Sequence, residues 1–319
     1  MQKYFTQKYY SDKRQSTSGR TKAMAALVWV SIAWGTTWLA SKEGVKNMPA
    51  LQMIAIRQLI AGLLYISFFI FKKQQWPKGK QWIVILVLSF LNFMLSNALS
   101  TWGVKFIPSG LGAIMGAIFP LWLVIITRIN GKHLPKQAIT GLLLGFGGVC
   151  IIFYEHLKEF LDPDFRFGIL LSLCATISWA FGTLYTKQQA IHFNPYFSLG
   201  FQMLISGIII LFTTEITGNT IKLSKIPASS WWAISYLVII GSIFTFVAYI
   251  YSLQRLPTAL ASVYAYINPI VAVLLGALLV NEKLTIFIAI GGAITITGVY
   301  IVNNSLKKKI ILKPAEPIN

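Results

Sequence analysis

Ten stretches of mostly apolar residues follow one another along the chain, at 23–41, 51–71, 82–104, 109–129, 137–154, 168–186, 196–214, 231–253, 259–280 and 285–303. Each approaches or exceeds the ~20 residues that a helix needs to cross a bilayer. Short polar segments separate them. None shows the ~10-residue apolar/polar alternation of an outer-membrane barrel strand. In lipid every backbone N–H and C=O must find a partner inside the protein, so helices are the other spanning solution. The pattern predicts an all-α integral membrane protein of ten transmembrane helices. The first run is full length and carries Trp34 and Trp38 in its C-terminal half. A cleaved signal has a shorter apolar core and a small-residue cleavage site, so this run reads as a retained helix.

Composition agrees. Of 319 residues 55% are hydrophobic and 12% charged, and the mean hydropathy is +0.65. A soluble domain is about 25% charged. A soluble globular enzyme and a disordered chain are both excluded on these numbers. A net charge of +19 on a soluble protein would suggest nucleic acid, but here the basic residues fall between apolar runs. Nucleic acid is therefore not an expected partner, and membrane lipid is. Alternate loops and tails carry 19 Lys and Arg on one side and 8 on the other. By the positive-inside rule both termini are cytoplasmic, in a multi-pass protein of the cell (inner) membrane. Seven of the nine acids fall on the outer side. The segment 155–167, with Glu155, Glu159, Asp162 and Asp164, is then an external acidic linker. Basic cytoplasmic tails occupy 1–22 and 304–319. The two cysteines, Cys150 and Cys174, lie in apolar runs and read as small buried residues, with no disulfide and no metal site.

The linker separates two sets of five helices, 23–154 and 168–303, and these align. IAWGTTWLASK at 32–42 lies over ISWAFGTLYTK at 177–187, an offset of 145. Leu59, Ile60 and Gly62 lie over Leu204, Ile205 and Gly207 at the same offset. Pro108, Leu111 and Pro120 match Pro257, Leu260 and Pro269 at 149, and Gly141, Gly148, Val149 and Ile151 match Gly291, Gly298, Val299 and Ile301 at 150. Five helices is an odd number, so the second copy enters from the opposite side of the membrane. Two inverted five-helix repeats are the organisation of many secondary transporters, whose substrate site lies at the repeat interface near the midplane.

Several motifs carry a resemblance. They are W-G-x-x-W…K at 34–42, A-L-S-T-W-G-V-K-F-I-P-S-G at 98–110, the mid-helix prolines Pro120 and Pro269, and N-E-K-L at 281–284 before a Gly-rich last helix. Over roughly residues 25–303 the chain resembles the drug/metabolite transporter superfamily, specifically its EamA family of ten-helix carriers. The resemblance implies transport of a small metabolite, amino acid or drug-like solute, with export the commoner direction. It also implies that helices one to four and six to nine surround a cavity, with five and ten peripheral. Family members commonly carry a glycine–glutamate turn after each fourth helix. Here the second copy keeps Glu282 and the first has Lys132.

Polar residues inside a bilayer usually face an interior or a cavity. Ser172, Thr176, Trp179, Thr183 and Thr186 step by four and three along the sixth run, which is one helical face. Asn92, Ser96 and Ser100 do the same on the third, and Ser242, Thr245, Tyr249 and Ser252 on the eighth. Trp34, Trp38 and Ser41 come from the first, and Ser262, Tyr266 and Asn268 from the ninth. The expected shared cavity therefore comprises Trp34, Trp38, Arg57, Asn92, Ser96, Ser100, Thr176, Trp179, Thr183, Thr245, Tyr249, Tyr266 and Asn268. Any one Ser or Thr taken alone is better explained as helix–helix glue, and only the stripes together favour a cavity. Pro120 and Pro269 each remove a backbone hydrogen bond, giving either a static kink or a gate. Arg57 lies about 9 Å into its run by a 1.5 Å rise, and its repeat mate is Gln202. Three readings stand for it: substrate contact, a gate on backbone carbonyls, or a structural role in which it snorkels to the headgroups or bonds to a neighbouring helix end.

No H-E-x-x-H, G-x-S-x-G or phosphate-cradling loop occurs. No enzyme activity, cofactor, metal or ATP use is expected. All nine acids lie near helix ends, in loops or in tails. An intramembrane proton relay is thus unsupported, which leaves facilitated export or coupling through another route. The other readings are a membrane sensor or structural subunit, and an intramembrane enzyme; reconstituted flux separates transport from both.

Overall fold

The computed structural model describes residues 17–129, 135–155, 158–189, 193–256, 261 and 264–311. Among these the regular structure is helical, with no strand. The helices are α1 (Thr17–Gly44), α2 (Ala50–Phe71), α3 (Lys80–Gly103), α4a (Ser109–Ala117), α4b (Phe119–Ile129), α5 (Lys136–Glu155), α6 (Pro163–Gln189), α7 (Pro195–Ile216), α8 (Ala228–Arg255), α9 (Tyr264–Val280) and α10 (Ile286–Ile311). Among the described residues six are long and apolar enough to cross a membrane (α1–α3 and α6–α8), and α4, α5, α9 and α10 supply shorter apolar stretches.

Helix ends differ from the apolar runs because hydropathy marks where lipid begins, not where a helix begins. α1 takes in tail residues from Thr17. α6 starts at Pro163, inside the expected linker, with the Asp162 carboxylate accepting from the Asp164 N–H at 2.9 Å. A proline in the first turn loses a donor that had no helical partner anyway. The fourth run breaks at Ile118, one residue after α4a ends, because Pro120 cannot supply the N–H that would continue the ladder. Pro269 instead lies within α9, which continues to Val280.

The surface is inverted relative to a water-soluble protein. Leu63, Phe68, Leu143, Phe146, Phe212 and Leu278 are exposed, while Arg57, Gln58, Asn92 and Gln202 are buried. That distribution fits a lipid exterior, where apolar side chains carry no penalty and polar ones must turn inward. Cys150 and Cys174 are exposed on this apolar surface, not buried as expected.

Two antiparallel pairs of helices touch through glycine. A methyl on Gly62 of α2 would meet the Leu204 N–H at 2.6 Å, and one on Gly207 of α7 would meet Leu59 N at 3.0 Å. Ascending residues of α2 meet descending residues of α7, and each contact is the other with the repeat mates exchanged. α5 and α10 repeat the arrangement: Gly148 lies against Gly291, and Gly298 against Gly141. Small residues permit this close approach of backbones.

α3 and α8 each contain a π-type stretch, Ser89–Ala98 and Leu237–Phe244. In both, consecutive backbone carbonyls are taken by side chains. In α3, Leu91, Asn92 and Phe93 O accept from Ser178 Oγ (2.7 Å), Asn97 Nδ2 (3.1 Å) and Gln58 Nε2 (3.2 Å). In α8, Ile240 O accepts from Thr245 Oγ1 (2.6 Å) and Gly241 O from Trp34 Nε1 (3.2 Å). The Tyr65 hydroxyl is shared by Ser242 O and Ile243 O, at 3.1 and 3.0 Å. Isolated π turns inside α-helices commonly occur at functional sites.

The helices gather at two ends. At one, Ser230 Oγ donates to Gly44 O (3.0 Å) and Lys42 Nζ to Ile107 O (2.9 Å). There Glu282 also caps α4a, accepting from Ser109 N (2.8 Å), Ser109 Oγ (2.9 Å) and Gly110 N (3.2 Å). At the other end Asn194 Nδ2 donates to Gln74 Oε1 (3.3 Å) and Ser252 Oγ to Ala23 O (3.1 Å).

Candidate functional site

Five aromatic rings meet in the middle of the bundle. Trp34 is within 5.0–5.8 Å, between ring centroids, of Trp179, Phe246, Tyr249 and Tyr264. Trp179 Nε1 donates to the Tyr264 hydroxyl at 2.8 Å, and Thr183 Oγ1 shares a hydrogen bond of 3.3 Å with the Tyr249 hydroxyl. Phe119 stacks on Tyr264 from outside the group. The polar tip of every Trp and Tyr in the cluster is thus satisfied, as burial of such groups requires.

Two cavities flank the cluster, and Trp179 and Phe246 line both. The larger, about 140 Å³, lies toward the Gly44 end. Trp34, Trp38, Arg57, Ser96, Ser100, Thr176, Trp179 and Asn268 of the predicted set line it. Thr37, Ser41, Asn97, Thr101, Ser172, Phe119 and Tyr264 add to its wall. The Asn268 carboxamide, with its nitrogen toward the Ser31 and Tyr264 carbonyls, donates to both at 2.6 and 3.1 Å. The smaller, about 40 Å³, lies toward the Phe71 end and takes Asn92, Trp179, Thr183 and Tyr249 with Thr186, Ser198 and Gln202. The single shared cavity expected from the stripes is therefore two cavities with rings between them.

The α6 stripe runs past both: Ser172 and Thr176 face the larger, Thr183 and Thr186 the smaller. Thr245 lines neither. Its hydroxyl is spent on Ile240 O of its own helix. The π stretch before it changes the helical phase, so steps of three and four counted through Leu237–Phe244 do not stay on one face. Ser252 is likewise glue, bonded to Ala23 O and Ala248 O. The side chain of Tyr266 lies outside the described residues, as do Ser262, Lys132 and the histidines His133, His156 and His192. Phe119 and Phe246 were missed because a phenylalanine among Leu and Ile carries no polar signal. The clue available was level: Trp34 and its repeat mate Trp179 mark the height at which aromatics converge.

Residues aligned at the offset of 145 divide between the cavities, with Trp179 on the wall of both. Trp34, Trp38 and Ser41 line the larger, and their mates at offset 145, Trp179, Thr183 and Thr186, line the smaller. Arg57 lines the larger and its mate Gln202 the smaller. Arg57 Nε donates to Ser242 Oγ in the π stretch of α8 at 2.9 Å. Gln202 Oε1 accepts from Asn92 Nδ2 in the π stretch of α3 at 3.4 Å. Neither Cys150 nor Tyr300, on α5 and α10, lines either cavity. Among the described residues no group of three or more His, Cys, Asp or Glu is placed to hold a metal ion.

Comparison with known proteins adds a family, three relatives and one solved structure. The EamA-like transporter family model matches residues 21–154 and 166–304. "Uncharacterized inner membrane transporter YedA" of Escherichia coli (strain K12) is 30% identical over 262 residues, 82% of this chain and 83% of that protein. "Uncharacterized transporter YoaV" of Bacillus subtilis (strain 168) is 24% identical, covering 88% and 96%. "WAT1-related protein At3g02690, chloroplastic" of Arabidopsis thaliana is 24% identical, covering 85% and 66%. One solved crystal structure superposes with a TM-score of 0.65 at 16% identity, covering 92% of this chain and 99% of that one.

Proposed function

The chain belongs to the EamA-like transporter family, a family of membrane transporters, and from that premise we propose that it is a secondary transporter working by alternating access. It carries a small metabolite, amino acid or drug-like solute out across the cytoplasmic (inner) membrane. The observation that carries this reading is the pair of repeat-related cavities with the aromatic cluster between them. A bundle with one cavity toward each end, built from matching residues of two halves, can open either end by exchanging the roles of the halves.

Ten spans in two inverted repeats, 23–154 and 168–303, are supported by the two antiparallel glycine contacts, in which each helix meets its own mate. The positive-inside asymmetry puts both tails, 1–22 and 304–319, in the cytoplasm and the Gly44 end outside. The larger cavity then lies in the outer half of the membrane. A cysteine at Asp162 should react with a membrane-impermeant reagent in intact cells and one at Lys308 should not. The reverse result would invert the topology.

No ATP is needed in this scheme, and the absence of a carboxylate among the described residues of the cavity walls favours uncoupled flux over proton coupling. Purified protein in liposomes tests the core of the reading. The solute that accumulates in the spent medium of overexpressing cells and is missing from that of deletion cells should cross the liposome membrane only when the protein is present. No flux of any such solute would overturn it. Flux strictly dependent on a pH gradient would replace the uncoupled scheme.

A further inference from the structure

Arg57 is the one charged side chain among the described residues lining the larger cavity. It lies seven residues into α2, about 10 Å along the axis. It is 5% exposed, so it does not snorkel to the headgroups. Its one hydrogen bond is the neutral contact from Nε to Ser242 Oγ. No described carboxylate pairs with it, and its terminal nitrogens hold no backbone carbonyl, which removes the basis for a gate built on carbonyls. A guanidinium carries five N–H donors. Four of them are left without an acceptor among the described residues, at the wall of a cavity. A buried cation in that condition is costly unless something completes it.

The repeat mate separates packing from charge. Gln202 occupies the same place in the other half, and it is satisfied: its amide nitrogen donates to Ser198 Oγ at 2.8 Å and its oxygen accepts from Asn92. A neutral amide therefore suffices for the architecture at this position. The charge on Arg57 serves something else, and it serves the larger cavity only.

We infer that the terminal nitrogens of Arg57 form the carboxylate subsite of the larger cavity, and that the solute is a monocarboxylate with an apolar or aromatic body. This deepens the transport reading and rests on it. A planar carboxylate matches the guanidinium fork with two parallel hydrogen bonds. The aromatic faces of Trp34, Trp38 and Trp179 accept a flat apolar body, and Asn97 and Ser96 supply neutral hydrogen bonds. One cation with no second basic group suits a single negative charge better than a phosphate dianion. No acid is present among the described lining residues to receive an ammonium group, so a simple cation is excluded from the subsite.

A matched series tests this: phenylacetate, phenylacetamide, phenethylamine and phenyl phosphate, titrated into the purified full-length protein at pH 7. Tryptophan fluorescence is the readout, since three tryptophans line the cavity. Phenylacetate should bind the wild type about 10- to 100-fold more tightly than the amide, the range set by hydrogen bonds to a charged group, and the amine should bind least. Arg57→Gln should bring acid and amide to the same affinity, while Arg57→Lys should keep part of the preference. The wild-type series stands even if a variant does not fold. Equal affinity of acid and amide, tighter phenyl phosphate, no phenylacetate binding at 10 mM (roughly 2.7 kcal/mol of affinity), or a folded Arg57→Gln that keeps the preference would each overturn the inference. Transport is scored apart from binding. Phenylacetate binding through Arg57, with no flux of the solute identified from spent medium, sinks the transport reading and keeps the subsite. Flux of solutes without regard to charge does the opposite.

Discussion

Gly147 and Gly148 are neighbours on α5, and the same substitution should act on them with opposite sign. A methyl added at Gly148 would sit 2.5 Å from both Gly291 O and Thr295 N on α10. Ordinary contacts of a Cβ are 3.4–4 Å. Beside the Thr295 hydroxyl, two of the offending atoms are backbone, so no rotamer change relieves the clash, and α5 and α10 must separate by about 1 Å at the crossing. A gap of that size forfeits a quarter to a half of the dispersion attraction there. Overpacking of this kind costs about 1–3 kcal/mol. At Gly147 a methyl meets nothing within 4 Å. There the substitution replaces a poor helix former by the best one, a gain of up to about 1 kcal/mol. Intrinsic fluorescence melting of detergent-solubilised protein should put Gly148→Ala several degrees below wild type and Gly147→Ala at or above it. Gly291→Ala should match Gly148→Ala, and the double variant should cost less than the two together, because the first methyl already opens the crossing. The reasoning fails if Gly148→Ala melts with or above the wild type, or if Gly147→Ala falls as far.

Three further outcomes follow from other contacts. Gly182→Ala drives a methyl into the Asn92 carboxamide, so it should lower the melting temperature and impair flux together; a variant with wild-type behaviour in both refutes the close α3–α6 approach. Glu282→Ala removes three hydrogen bonds at the start of α4a and should cost about 1–3 kcal/mol, read as a lower melting temperature, with Glu282→Asp recovering little if the shorter side chain falls short of Ser109. Trp34→Ala empties the centre of the aromatic cluster and should cost about 3–5 kcal/mol, while Trp34→Phe, which loses only the hydrogen bond to Gly241 O and part of the ring, should cost distinctly less; equal loss in the two melts would contradict the packing account.

Much of this was legible in the sequence, for identifiable reasons. Apolar runs announce helices because lipid leaves the backbone no alternative. The offset of 145 pairs Trp34 with Trp179 and Arg57 with Gln202; Trp34 and Arg57 line the larger cavity, Gln202 lines the smaller, and Trp179 lines both. The π stretches were not legible. One extra residue per turn leaves composition unchanged and only shifts phase, which is why Thr245 was assigned to a cavity it does not line. Nor does composition tell a kink from a break, so the fourth run read as continuous until Ile118 divided it. Cys150 and Cys174 were read as buried because apolar sequence in lipid looks the same on both faces of a helix; exposure is settled by neighbours, not by hydropathy.

The guanidinium of Arg57, the one charged group among the described residues of the larger cavity, also has an electrical consequence. If its partner is a monoanion, nothing in the described cavity walls travels with the solute to cancel its charge. Each transport event then moves one elementary charge through the membrane potential, which is worth about 2.3 kcal/mol per 100 mV. With the cell interior negative, outward movement is downhill. At 100 mV that alone sustains roughly a fifty-fold excess of the anion outside over inside, since 1.4 kcal/mol is a factor of ten. A carrier of this kind needs no proton and no intramembrane acid to concentrate its solute outside. A zwitterion seated on the same arginine would feel none of this drive. Clamping the voltage of loaded liposomes with potassium and valinomycin therefore distinguishes the two solute types by whether the rate of efflux follows the imposed potential.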